Sequence, residues 1–181
     1  ASLEALAMLA KEFPHDGQAA EAQFRRGEAA FVSRDWSGAE AAYSAVIAAG
    51  RSPFADQAQY KRGWTRYKRN SFDLALEDFI PLIERLRKSG DADAQVRELR
   101  GDALRVAALA FSNLDGPVSV REWFEKAGEQ NYEPDIYRAL ADLYLSQERF
   151  KDAADTYNTF VVQRPLHDEA PAFSTAVIQT Y

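Results

Sequence analysis

Apolar residues along this chain recur three and four places apart, the spacing of amphipathic helices, and the pattern itself then repeats. Residues 22–43 read A-Q-F-R-R-G-E-A-A-F-V-S-R-D-W-S-G-A-E-A-A-Y, and residues 58–79 read A-Q-Y-K-R-G-W-T-R-Y-K-R-N-S-F-D-L-A-L-E-D-F. Each landmark returns 36 places on: Phe24 as Tyr60, Gly27 as Gly63, Phe31 as Tyr67, Trp36 as Phe72, Ala39 as Ala75, Tyr43 as Phe79. The apolar phase breaks before Trp36 and Phe72, so each unit is predicted to be a helix pair, A then B. Gly27 and Gly63 in helix A, with Ala39 and Ala75 in helix B, predict close approach of the paired backbones. Tyr43 and Phe79 are expected to fill the space between neighbouring pairs. Self-similarity at this kind of period means one supersecondary unit stacked on copies of itself.

The frame continues. Leu104, Ala108, Phe111, Val120, Phe124 and Ala127 occupy the matching places of a third unit, with Pro117 opening its helix B. A fourth runs Tyr137-x2-Leu140-Ala141-x2-Tyr144, then Ala153-x3-Tyr157, then Pro165. The landmarks of units two and three lie 45 apart instead of 36, with the insertion across L-I-E-R-L-R-K-S-G-D-A-D-A-Q. Ser89-Gly90 is expected to end one helix and Asp91 to cap the next, both flanking helices being longer by about a turn. Pro81 is expected to bend helix B of unit two, because its ring removes an internal hydrogen bond.

The fourth unit carries the Tyr-Leu-Ala-Tyr, Ala-Tyr and Pro landmarks of the tetratricopeptide pattern, and the chain resembles that repeat family over nearly all its length. The resemblance implies an all-α, right-handed α-solenoid of antiparallel helix pairs, about ten helices in one block over 1–181. Its parts are expected to be helix B of a preceding repeat at 2–14 and repeats at 20–53, 56–90, 91–133 (degenerate and longer) and 134–167. Helix A of a following repeat is expected at 168–181, and the chain reads as an excerpt of a longer protein.

Composition narrows the function. Cysteine is absent from the 181 residues, which excludes disulfides, thiolate metal sites and cysteine nucleophiles. A net charge of −6 argues against nucleic acid as a partner, and the longest apolar run is too short to cross a membrane. His15 and His167 sit in similar junctions, F-P-H-D-G and P-L-H-D-E. Asp16 and Asp168 are expected to cap the next helix there, with the histidines in solvent. Glu28 and Glu77-Asp78 read as solvated helix charges. No phosphate loop, nucleophile elbow or His-Glu-x-x-His pair occurs. The expectation is therefore no enzyme, no metal and no cofactor.

A binding surface is the better expectation. In a tetratricopeptide stack the A helices line the concave face, and the resemblance places ligand contacts at the second, fifth, sixth, ninth, twelfth and thirteenth residues of helix A. Of the positions so implied, the candidate groove residues are Phe24, Arg25, Phe31, Tyr60, Lys61, Trp64, Tyr67, Lys68, Arg105 and Arg138. Y-K-R-G-W-T-R-Y-K-R in unit two concentrates aromatics and cations within an acidic chain. Trp64 is expected to face the groove, and such aromatic and cationic anchors carry much interface energy. Packing on neighbouring helices remains an equal account of Phe24, Tyr60 and Tyr67. Arg26 and Arg62 stand where the family has Leu, and a structural pairing with Glu40 or Glu77 is expected for them. The carboxylate-clamp subclass places Asn at the ninth position of helix A, where this chain has Glu28, Trp64, Leu109 and Asp142, so that subclass is disfavoured.

Two phrases, F-P-H-D-G-Q-A-A-E-A-Q-F-R-R-G-E-A-A-F and R-P-L-H-D-E-A-P-A-F-S-T-A-V-I-Q-T-Y, are similar to repeats of bacterial cell-envelope proteins. That likeness implies a scaffold or adaptor binding an acidic or apolar peptide or protein segment, in the periplasm or envelope, with the cytoplasm as the alternative. A self-assembly module stacking through its terminal helices, or a segment positioning a catalytic domain outside this stretch, are the competing expectations.

Overall fold

The computed structural model describes residues 17–50 and 52–180. The helix expected at 2–14, together with His15 and Asp16, lies outside the described residues. Among those described there are nine helices and no strand. They are α1 (Gly17–Val32), α2 (Trp36–Ala48), α3 (Ala55–Lys68), α4 (Phe72–Lys88), α5 (Ala94–Ser112), α6 (Pro117–Ala127), α7 (Glu133–Ser146), α8 (Phe150–Gln163) and α9 (Ala170–Thr180). The chain divides into two compact units, Ala1–Leu82 and Ile83–Tyr181.

In the first unit the A-to-B turns share one device. After α1, the amide of Asp35 bonds the carbonyl of Ala30 at 2.9 Å and that of Arg34 bonds Phe31 at 3.1 Å, with Arg34 in the left-handed region at φ 61. After α3, Ser71 bonds Arg66 at 3.0 Å and Asn70 bonds Tyr67 at 2.9 Å, with Asn70 at φ 58. Both are Schellman turns, which satisfy the last carbonyls of a helix. Asp35 then caps α2, its carboxylate accepting from the Gly38 amide at 2.9 Å.

The repeated spacing of glycine and aromatic has a steric cause. A Cβ on Gly27 would lie 2.5 Å from Cε1 of Tyr43, and one on Gly63 would lie 2.7 Å from Cε1 of Phe79. Each ring therefore beds on the glycine of its own pair, while Tyr43 also shares its core cluster with Ala58 of the next pair, as expected. Tyr43 is fully buried with Ala39, Val46 and Ala58, and Phe24, Phe31, Ile47 and Phe54 pack around them. Helix α2 packs on both α1 and α3, so helix B of one pair meets helix A of the next.

The second unit contains α5 to α9. Here α5 packs on α7 and α6 on α8, like helix against like helix. Its core holds Phe111, Phe124, Tyr137, Leu140 and Phe160, all fully buried. Phe160 and Phe173 pack with centroids 4.5 Å apart, which docks α9 on α8. Pro117 opens α6 behind Gly116.

The wide spacing between the second and third repeats is absorbed by helix length. α4 has 17 residues against 13 in α2, and α5 has 19 against 14 in α3. Gly90, at φ 81, follows α4, which runs through Pro81. The cap of α5 is Asp93, accepting from the Gln95 amide at 2.8 Å. Asp91, expected in that role, instead pairs with Arg100 at 2.6 Å.

Candidate interaction surface

Helix α3 presents the aromatic and cationic cluster. Trp64, half-buried, meets Tyr67 edge-on at 5.4 Å, and Tyr67 in turn meets Phe72 at 5.3 Å. Lys68 lies over the Trp64 ring at 5.4 Å and Lys61 over the Phe31 ring at 5.6 Å, both within cation–π range. Tyr60 rests edge-on against Phe79 at 6.0 Å, which ties it to the core as well as to the surface. Phe31, Tyr60, Lys61, Trp64 and Lys68 converge on one open hollow of about 320 Å³ between α1 and α3.

Glu28 governs the charge there. One carboxylate oxygen accepts from the buried Tyr43 hydroxyl at 2.5 Å and the other from Lys61 Nζ at 3.2 Å. Burial, with that hydrogen bond and the negative charge behind it, pushes the Tyr43 phenol far above its ordinary range. Glu28 is thus no solvated helix charge. It locks an interior hydroxyl and half-neutralises Lys61. Lys68 is exposed and has no ion pair among the described residues.

The remaining candidates are placed elsewhere. Phe24 stacks on Phe54 at 5.3 Å beside Arg25, in a separate hollow with Glu21 and Glu28. Arg25 is already bridged to Glu21 at 2.6 Å. Arg105, on α5, pairs with Asp102 at 2.9 Å. Arg138, on α7, binds Glu169 at 2.8 Å and covers the Phe173 ring at 5.2 Å, so it fastens the start of α9. These two arginines belong to the second unit.

Three charge assignments change. Arg62 is paired inside the fold, but with Asp78 rather than Glu40 or Glu77. Asp78 is fully buried, and Arg66 also reaches it at 3.1 Å. Glu40 instead receives Arg66 at 2.9 Å and Arg69 at 2.6 Å. Arg26 is exposed and makes no ion pair among the described residues, so the shared Leu-to-Arg change has two outcomes. His167 is half-buried, its ring edge on Phe160 at 5.3 Å and its Nδ1 accepting from the Glu169 amide at 3.1 Å. That replaces the expected solvated histidine. The sequence also passed over Arg34 and Trp36, which with Phe31, Val32 and Lys68 line a second hollow at the α1–α2 turn. The helical frame concealed them, since both lie outside helix A.

No group of three or more metal-binding side chains occurs among the described residues, and no helix among them is long and apolar enough to cross a membrane. The fold and the surface define a repeat protein of paired helices. Residues 24–80 match the tetratricopeptide repeat family. The matched stretch contains most of the first two helix pairs and the hollow between α1 and α3. No curated protein matches the chain. Tetratricopeptide repeats generally mediate protein–protein interaction and typically do no catalysis.

Proposed function

We propose that this chain is an interaction scaffold that holds an acidic or apolar segment of a partner protein on the face shared by α1 and α3. One observation carries this: Phe31, Tyr60, Lys61, Trp64 and Lys68 meet around one hollow, an apolar floor bordered by two ammonium groups. Partly exposed tryptophan beside cations is the side-chain chemistry of interface anchors. The likeness of two phrases to bacterial envelope repeats supports a periplasmic or envelope setting, with a multiprotein assembly as the context.

The test is affinity capture from a bacterial envelope lysate, wild type beside a Trp64→Ala/Lys68→Glu variant shown to be folded by circular dichroism. Partners held by wild type and lost by the variant are expected. Identical partner lists would overturn the assignment of this face. A second reading, self-association, is favoured by Val162, Leu166 and Ile178, which are 72%, 97% and 77% exposed. It requires a sedimentation-detected oligomer that Ile178→Glu dissociates and Trp64→Ala leaves intact.

A further inference from the structure

Where α1 turns into α2, an apolar floor meets two cations that have no carboxylate partner among the described residues. Val32 is 83% exposed at the end of α1. Phe31 and Trp36 form an edge-to-face pair at 5.3 Å, and with Val32, Arg34 and Lys68 they line the second hollow. Phe31 and Lys68 border this hollow and the α1–α3 hollow alike. The acids close by are already engaged: Asp35 caps α2 through the Gly38 amide, and Glu28 holds Tyr43 and Lys61. Among the described residues neither Arg34 nor Lys68 has a carboxylate partner, in a chain whose net charge is −6.

Arg34 shares its backbone conformation with Asn70 and with Glu148, at φ 58. It stands in the left-handed region at φ 61, where the corresponding turn of the next pair uses Asn70 at φ 58. Asparagine and glycine tolerate that conformation, whereas a residue such as arginine is strained in it. Nothing in the turn's own hydrogen bonds calls for a guanidinium, since only the Arg34 backbone takes part.

We propose that the α1–α2 turn is a docking site for a partner-protein segment that carries a large apolar side chain flanked by carboxylates. The apolar side chain lies against Phe31, Val32 and Trp36, and the carboxylates meet Arg34 and Lys68. Because Phe31 and Lys68 border both hollows, a single segment can occupy both. The site thus rests on the assignment of the α1–α3 face to partner binding and extends it around the turn.

Fluorine NMR of protein labelled with fluorotryptophan tests this, because Trp36, Trp64 and Trp123 are the chain's three tryptophans. Single Trp→Phe variants assign the signals. The probes are a decapeptide with a central phenylalanine flanked by glutamates and its lysine-flanked counterpart. The glutamate peptide is expected to shift Trp36 and Trp64, leave Trp123 in place, and bind Arg34→Gly about fivefold more weakly. Arg34→Gly should meanwhile unfold at a higher denaturant concentration, so lost affinity cannot be ascribed to lost structure. A shift at Trp64 with Trp36 silent, or undiminished binding to Arg34→Gly, overturns the turn site and leaves the α1–α3 assignment standing. Equal shifts with the lysine peptide overturn the charge argument. If neither peptide moves either tryptophan, both assignments fall.

Discussion

Arg62 of α3 grips the buried Asp78 of α4 with two nitrogens, Nη2 to Oδ1 at 2.6 Å and Nε to Oδ1 at 3.1 Å. Its third nitrogen, Nη1, donates to Ser44 Oγ of α2 at 3.1 Å, so one guanidinium joins three successive helices. Burial raises the Asp78 carboxyl above its ordinary pKa, and Arg62 and Arg66 offset that only in part. The pair therefore contributes alignment more than net stability, and its danger lies in being broken. Asp78→Ala strands Arg62 and should cost about 3–5 kcal/mol in urea denaturation at neutral pH. Arg62→Leu/Asp78→Leu strands no cation, because Arg66 keeps Glu40, and should recover most of that loss. A double variant as unstable as the single one would contradict this account.

Two helical glycines should respond oppositely to alanine. At Gly27 the new methyl would meet the Tyr43 ring at 2.5 Å, and overpacking of about 1–3 kcal/mol outweighs the gain in helix propensity. At Gly101, exposed on α5, nothing lies within 4 Å, and alanine should stabilise by about 0.4–1 kcal/mol. Thermal melts of the two variants would separate the cases, and a stabilised Gly27→Ala would refute the ring-on-glycine packing.

Glu148 closes the α7–α8 turn in the same left-handed conformation as Arg34, at φ 58. Its side chain makes no hydrogen bond or ion pair among the described residues, so nothing offsets the strain. Glu148→Gly should raise stability by about 1 kcal/mol. An unchanged denaturant midpoint would mean the turn bears no strain, and would weaken the case at Arg34.

Alkali should loosen the fold in a defined window. Burial, reinforced by Glu84 and Glu133, pushes the Tyr132 phenol from 10.0 up to about 12. Tyr43 and Tyr137 move the same way, again through burial first and then Glu28 and Glu133 respectively. Above the unfolded value the folded chain holds more protons, so stability is intact below pH 10.0 and falls as pH rises toward about 12. Denaturant midpoints taken at stepped pH should show that decline, shallower in Tyr132→Phe. A midpoint flat across the window would rule it out.

The repeat and its helix pairs were legible in the sequence because burial periodicity is written locally, one landmark at a time. The aromatic and cationic content of α3 was legible for the same reason: Tyr60, Lys61, Trp64 and Lys68 share one helical phase. What that phase could not supply was partner choice across helices. Arg62 and Arg26 read alike, yet only Arg62 meets a buried acid, and it meets Asp78 because α4 brings that side chain opposite. Arg138 read as groove chemistry and is spent on Glu169 and Phe173. Trp36 read only as a repeat landmark, and the structure sets it with Arg34 around Phe31 and Lys68. Local sequence decides which residues are helical and which are buried. Tertiary structure decides which charges are neutralised, because an ion pair acts over a few ångströms between residues that the helical period places far apart in the chain.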